Sequence, residues 1–309
     1  MSTGIHHITA VASDPRRNVD FYTGALGLRL VKKTVNFDDP STYHLYYSDG
    51  SGSPGSVLTF FPHPDARPGH HGAGQAVGIS FAVPPAAFDF WLERLEKQGI
   101  AHDGQDERFG EKFVSFDDPD ELKLEIVAAY GVEHAGAPWA TADISLAEAI
   151  RGFHSVTLWE RDYKATAALL TAHFGFAADG AEENRFRFRA PGGGVGRIVD
   201  ILNTGDLRSG ALGAGVNHHV AFRARDDAHE EQMREALTAE GLNVTPIIDR
   251  NYFHSVYFRE PGGVLFEIAT DPPGFTVDEP LETLGQALKL PAQYEARRAE
   301  IEKSLPSLS

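Results

Sequence analysis

Cysteine is absent from the 309 residues of this chain. That excludes a disulfide framework, a thiolate nucleophile and any sulfur-ligated metal. Positive charge is also scarce: 28 Lys and Arg against 44 Asp and Glu leave a formal net charge of -16. Nucleic acid and anionic membrane surfaces both require Lys/Arg clusters, so neither is an expected partner. No apolar run approaches the length of a membrane span. The amino terminus, MSTGIHH, lacks the basic and apolar regions of a signal peptide, and a cytoplasmic protein is expected. The composition, 42% hydrophobic and 23% charged, is that of an ordinary soluble protein, and the length suffices for two compact domains. Histidine is plentiful, with 14 copies. A transition metal here has to be held by imidazole and carboxylate.

The order of predicted elements repeats. In the first unit, strand Ile5–Val11 leads to Ser13-Asp14-Pro15, a helix start, and a helix through Val19, Phe21, Tyr22 and Leu26 that stops at Gly27. Strands follow at Leu28–Val35, Tyr43–Tyr47 and Val57–Phe61, the last after the turn Ser53-Pro54-Gly55. The second unit opens at Gly78–Val83, with helix Ala86–Gln98 and strands Phe113–Phe116 and Leu122–Val127. The third opens at Phe153–Leu158, with helix Tyr163–His173 and strands Arg185–Arg189 and Arg197–Leu202. The fourth opens at Val216–Phe222 and ends in Val264–Ile268, with helix Ala228–Ala239 between. Glycines 27, 99, 175 and 241 end the helices at spacings of 72, 76 and 66, and turn prolines 54, 119, 191 and 261 are spaced by 65, 72 and 70. Two independent markers in one phase define an internal repeat.

One helix and a sheet with one apolar face cannot bury that face alone. The expected fold is therefore α+β: four β-α-β-β-β modules paired into two half-open barrels, with a C-terminal helical arm. The modules span 5–61, 76–128, 152–203 and 215–270. They give a first domain over 1–135, a second over 150–271 and an arm over 272–309. Pro62–Gly74 reads as a loop, Leu146–Ile150 as a short helix in the crossover, and Pro280–Lys289 and Pro291–Leu305 as amphipathic helices.

Aligning the units sorts the histidines. His7 of unit one and His219 of unit four share a position on the first strand, where units three and two carry Ser155 and Ile79. Counting from the turn proline, Glu267 aligns with Glu125, Phe60 and roughly Asp200. Pairing units one and four thus gathers His7, His219 and Glu267, whereas pairing two and three gathers carboxylates and no His. Two His and one carboxylate leave up to three positions of an octahedral ion open, because Phe60 supplies no fourth ligand. That suits Fe(II) binding a substrate and O2 together, and also Mn(II), whereas Zn(II) usually takes fewer positions.

In combination, these segments resemble the hydroquinone-type ring-cleaving extradiol dioxygenases of the vicinal oxygen chelate superfamily. The matching stretches are Ile5–Thr9, Arg17–Thr34, Tyr43–Tyr47, Arg151–Ser155, His218-His219, Pro261–Glu267 and Leu288–Tyr294. The resemblance implies a non-haem Fe(II) enzyme, with Mn(II) as the other metal, that opens a para-hydroquinone ring with O2. Its metal ligands fall on His7, His219 and Glu267, and its substrate-side Tyr and Arg on Tyr257 and Arg250. His218 would be the acid/base, and His6 and Thr9 would stand around the substrate and ligands. At a position near the pocket where chlorohydroquinone-cleaving members carry an acidic residue, this chain has His254. The partners implied are a small aromatic substrate, O2 and further copies of the chain in a homo-oligomer.

Plainer readings stand beside these. A lone strand histidine is more often a half-buried side chain bonded to a carbonyl. Glu125 reads as a surface carboxylate. His154 lies one position off the ligand register and, by strand alternation, on the opposite face. His63, His70 and His71 read as solvated. The functional alternatives are a catechol-type extradiol dioxygenase, a glyoxalase-type metal-dependent isomerase or transferase, and a non-catalytic binding protein.

Overall fold

The computed structural model describes residues 4–308. The first module comprises β1 (Ile5–Ala12), α1 (Pro15–Val19), β2 (Arg29–Val35), β3 (Tyr43–Ser48) and β4 (Val57–Pro62). The second is β5 (Gln75–Val83), α2 (Phe88–Lys97), β6 (His102–Arg108), β7 (Glu111–Asp117) and β8 (Lys123–Ala128). The third is β9 (Gly152–Glu160), α3 (Lys164–His173), β10 (Ala177–Glu182), β11 (Arg185–Arg189) and β12 (Ile198–Asn203). The fourth is β13 (Val216–Ala224), α4 (Asp227–Ala239), β14 (Ile248–Asp249), β15 (Phe253–Arg259) and β16 (Leu265–Pro273). Asp14 caps α1 by accepting from the Arg16 and Arg17 amides, and α1 continues as a π-helical turn, Asp20–Ala25.

In every module the first strand runs parallel to the last. Modules one and four merge across the antiparallel β1–β13 seam into one eight-stranded sheet, β14-β15-β16-β13-β1-β4-β3-β2. Modules two and three merge across β5–β9 in the same way, as β10-β11-β12-β9-β5-β8-β7-β6. The result is the expected pair of half-barrels. A shared apolar cluster that includes Ile8, Phe60, Phe81, Trp91, Phe153 and Phe222 spans both sheets, and each such large side chain contributes roughly 1.5–3 kcal/mol when fully buried. Among the described residues no helix is long and apolar enough to cross a membrane.

The seam strands are not regular. The β1–β13 register passes from Ile5↔Phe222 to His7↔Ala221 and from Thr9↔His219 to Ala10↔Asn217. His6 and His218 are therefore the extra residues of two β-bulges. On the β5–β9 seam the corresponding shifts fall at Val77 and His154. A bulge lets two consecutive side chains serve one face, so alternation fails at these four places. His154 is the counterpart of His6 rather than an outward-facing residue, and its ring bonds Ser155 Oγ at 3.0 Å and Glu111 at 3.0 Å.

The registers also revise two alignments. Glu267 pairs with Ala221, two residues beyond His219. Glu125 pairs with Ser80, so the counterpart of His219 in module two is Gly78, not Ile79. In module one the residue level with Thr9, two beyond His7, is Thr59, not Phe60. Phe60 turns the other way and packs against Tyr22 in the core.

Four strands went unread: β6 (HDGQDER) and β10 (AADGAE), which carry no apolar pattern and are the outermost strands of their sheet, and β14 and β15 (FHSVYFR) of the fourth module. The expected helix at Leu146–Ile150 is a turn. Pro280–Lys289 is not a helix either: only Leu281–Thr283 makes a 3-10 turn. The Gly285 and Ala287 amides donate to the buried Glu279 carboxylate instead of to a helical ladder. The arm also has a 3-10 turn at Phe275–Val277, and the expected helix Pro291–Leu305 is a 3-10 stretch, Ala292–Arg297, followed by the short α5 (Arg298–Ser304). It is tied to β2 through the Lys33–Leu288 bridge.

Candidate metal centre

His7 enters from β1, His219 from β13 and Glu267 from β16, three adjacent strands of one sheet. His7 Nε2 lies 3.2 Å and His219 Nε2 2.8 Å from Glu267 Oε2, and the two Nε2 atoms are 3.3 Å apart. All three side chains are buried. Ligand atoms held at metal–ligand bonds of about 2.1 Å around an octahedral ion stand about 3 Å from one another, and this triangle has those edges. Among the described residues no other trio of His, Asp or Glu side chains gathers in this way.

The hydrogen bonding supports the same reading. Both oxygens of Glu267 lack a well-directed donor although the residue is fully buried, a costly state unless the carboxylate faces a cation. Burial alone would raise Glu267, but His7 and His219 beside it hold its carboxyl well below the usual range. Burial lowers His219 against the pull of Glu267 and keeps its imidazole lone pair available. Each ligand-position histidine turns Nδ1 to the histidine before it, 2.9 Å from His6 Nδ1 for His7 and 2.7 Å from His218 Nδ1 for His219. With Nδ1–H donating to the neighbour, Nε2 is left as a bare lone pair, the tautomer a metal needs. His6 in turn is bonded to the Thr270 backbone, and burial beside His7 depresses it well below the ordinary histidine range. The residues present thus fit a divalent transition metal held by two imidazoles and one carboxylate.

Above the triad lies a cavity of about 250 Å³ whose wall includes His7, His218, His219, Arg250 and Tyr257. It is smaller than the roughly 300–1,000 Å³ of drug-sized pockets, which favours a single-ring ligand. Tyr257 pairs with Glu267 across β15–β16, and its ring is 5.6 Å from that of His219. The Arg250 guanidinium carbon is 5.5 Å from the Tyr257 ring centroid, and an Arg250 nitrogen is 3.5 Å from Asp38. Burial, and then the neighbouring Glu267, push the Tyr257 phenol up, so it stays protonated as a donor. Burial and the neighbouring His219 lower His218 to about 3, so the ring is neutral at ordinary pH rather than poised near its titration point.

Of the other residues singled out from sequence, His6 stands behind His7, and Thr9 Oγ1 is engaged at 2.9 Å with Thr59 Oγ1. Neither lines the cavity. His254 does not line it either: its Nδ1 is 2.7 Å from Asp227 on α4. His44, Tyr46, Phe61 and Phe253 do line it and were missed. Phe253 packs tilted against His7, ring centroids 4.9 Å apart, and edge-on against His6 at 5.3 Å. The usable signal was YHLYY on β3, a histidine amid tyrosines on a buried strand.

The second half-barrel holds a larger cavity, about 710 Å³, but no histidine pair. Gly78 and Ser155 replace the imidazoles, and the carboxylates at the Glu267 position are neutralised by arginine. Glu125 accepts from Arg108 at 3.0 Å and Ser80 at 2.6 Å, and Asp200 accepts from Arg187 at 2.9 Å. Glu125 is therefore a half-buried ion-pair partner and not a free surface group. Guanidinium groups occupy the electrostatic place of an ion in this half.

The Glyoxalase/Bleomycin resistance protein/Dioxygenase superfamily model matches residues 4–126 and 152–268. MhqO of Bacillus subtilis (strain 168), provisionally named a ring-cleaving dioxygenase, is 47% identical over 302 residues, covering 98% of this chain and 95% of that one. The chlorohydroquinone/hydroquinone 1,2-dioxygenase of Sphingobium indicum is 35% identical over 310 residues, covering 98% and 95%. A crystal structure from Bacillus subtilis, described as a dioxygenase on provisional grounds, superposes with a TM-score of 0.96 at 46% identity, over 100% of this chain and 98% of that one. The chain belongs to the Glyoxalase/Bleomycin resistance protein/Dioxygenase superfamily and, by full-length identity, to its ring-cleaving dioxygenase branch.

Proposed function

We propose that this protein is a non-haem Fe(II)-dependent dioxygenase that opens the ring of a para-hydroquinone with O2. The observation that carries the reading is the buried His7–His219–Glu267 triangle, with Thr59 at the position where a second carboxylate would make a fourth ligand. An isomerase of the same fold would be expected to fill that place with a fourth metal ligand. The named activity of the Sphingobium relative supports the hydroquinone class. Fe(II) is favoured, with Mn(II) as the alternative, because two imidazoles and one carboxylate suit both and leave positions open.

When bound, the metal supplies Lewis acidity and a route for electrons between a closed-shell ring and O2. Two oxygen atoms enter the ring as the bond between a hydroxylated carbon and its neighbour breaks. The product is an unsaturated chain with a carboxyl group at one end and an aldehyde or acyl group at the other. The chain's own residues orient and protonate. Tyr257 keeps its proton and donates it as a hydrogen bond to substrate oxygen. Arg250, beside the Tyr257 ring, holds the negative charge that develops on oxygen. With the His219 Nδ1–H donating to it, neutral His218 would present Nε2–H to the cavity as a hydrogen-bond donor.

The test is O2 uptake after anaerobic loading with Fe(II), with methylhydroquinone and a catechol offered separately and metal content measured alongside. Uptake with the hydroquinone, abolished in His219→Ala, is the expected result. Uptake with the catechol alone would keep the metal and overturn the substrate class. No uptake with either, in protein holding one metal, would favour an isomerase.

A further inference from the structure

Tyr46 stands in module one where Tyr257 stands in module four. Tyr257 pairs with Glu267 across β15–β16, and Tyr46 pairs across β3–β4 with Thr59, the residue that takes the Glu267 position. Each phenol has a polar partner two residues earlier on its own strand. Ser255 Oγ is 3.2 Å from the Tyr257 hydroxyl, and His44 Nδ1 is 2.8 Å from the Tyr46 hydroxyl. Both tyrosines line the cavity. The site therefore has a second phenol, on the wall opposite the one that sequence resemblance picks out.

Tyr46 is the end of a buried chain. Thr9 Oγ1 is 2.9 Å from Thr59 Oγ1, Thr59 Oγ1 is 2.8 Å from His44 Nε2, and His44 Nδ1 reaches Tyr46. Burial keeps both His44 and Tyr46 uncharged. If Thr59 donates to His44 Nε2, His44 Nδ1–H donates to the tyrosine oxygen, and the tyrosine proton is free to point into the cavity. Such a chain is costly to bury unless each member is satisfied. The Tyr46 ring packs against Phe275 at 5.2 Å and Tyr252 at 6.1 Å, and phenylalanine at 46 would fill the same space.

We propose that Tyr46, positioned by His44, binds the substrate oxygen that the metal does not bind and so selects rings with two oxygens in the para relation. β3 lies two strands from β1, about 10 Å across the sheet. Tyr46 and the triad histidines line the same cavity, so a ring whose near oxygen lay at the triad would turn its para oxygen toward the Tyr46 wall. A catechol carries both oxygens at the near edge and leaves Tyr46 without a partner. This rests on the ring-cleaving reading above and adds the residue pair that sets the substrate class.

The experiment compares wild type with Tyr46→Phe, both metal-loaded and with matched melting temperatures. Anaerobic calorimetric titration uses hydroquinone and phenol, and KM and kcat for hydroquinone are taken from O2 uptake. Tyr46→Phe is expected to lose about tenfold in hydroquinone affinity, with KM rising and phenol affinity and metal content unchanged. His44→Phe should reproduce this loss and His44→Gln should restore part of it. Equal hydroquinone affinity in Tyr46→Phe, or an equal loss for phenol, overturns the assignment. If wild type itself neither binds nor cleaves hydroquinone, the functional reading falls first and takes this one with it. If wild type cleaves it and Tyr46→Phe does so equally well, only this inference falls.

Discussion

His6 and His218 occupy equivalent bulges on the two seam strands, and each sets its Nδ1 against that of the histidine that follows, at 2.9 and 2.7 Å. The bulge is what makes the pair possible. On a regular strand consecutive side chains face opposite ways, and the residue before a ligand could not orient it. Here the extra residue of each bulge sets the tautomer and angle of the imidazole beside it.

His6→Phe keeps a ring in place and removes the acceptor. Metal affinity, measured by competition with a chelator, is expected to fall about 10- to 100-fold. The melting temperature of the metal-free protein should change little. Unchanged affinity would mean that the bulge serves packing alone.

Tyr257→Phe separates chemistry from metal binding. Its hydroxyl lies beside Ser255 Oγ and not among the triad edges, so metal content should stay at the wild-type level. Turnover of hydroquinone is expected to drop about 10- to 100-fold. Wild-type turnover in this variant would remove Tyr257 from the mechanism.

Glu160, at the end of β9, predicts a pH dependence of stability. Both its carboxyl oxygens are buried without a hydrogen-bond partner. Burial, and then the neighbouring Glu260, raise it from 4.5 to about 8. The folded protein therefore holds a proton that the unfolded chain has released across that range. The associated stability is full below pH 4.5 and is lost as pH rises through about 8. Glu160→Gln mimics the protonated form. Its melting temperature should match wild type at acid pH and exceed it at alkaline pH, by roughly 1–3 kcal/mol in stability. Melting curves that run parallel across this range would refute the assignment.

The arm offers a mechanical test. Lys32, fully buried on β2, bonds Asp278 at 2.6 Å and Glu279 at 2.9 Å. Lys32→Met leaves the buried Glu279 carboxylate without its cation, at an expected cost of about 3–5 kcal/mol. Adding Glu279→Gln should recover part of it. Limited proteolysis is expected to nick the arm of the single variant first. Cleavage elsewhere would show that the ion pair does not hold it.

Reading the sequence worked where one residue type had one job. Gly27 at φ 63° and Gly175 at φ 71° end their helices because only glycine adopts that backbone cheaply, and with the prolines they mark the repeat. The repeat in turn brought His7, His219 and Glu267 together across more than two hundred residues. It failed where pattern and geometry part. β6 and β10 lack hydrophobic alternation because these two end strands lie largely in solvent. The Pro280–Lys289 segment reads as amphipathic but spends its amides on Glu279.

Period and residue identity alone set the number and order of the modules and show which two carry the paired histidines, because neither depends on how the chain folds. The register was decided only in the folded sheet. A single inserted residue at His6, His218, Val77 or His154 shifts every later side chain to the other face. Likewise only the β1–β4 register shows that the turn at Pro54 reaches its strand one residue sooner than the turn at Pro261, so that Thr59 and not Phe60 takes the Glu267 position, and only the fold brings His44 and Tyr46 of β3 into the wall of the same cavity.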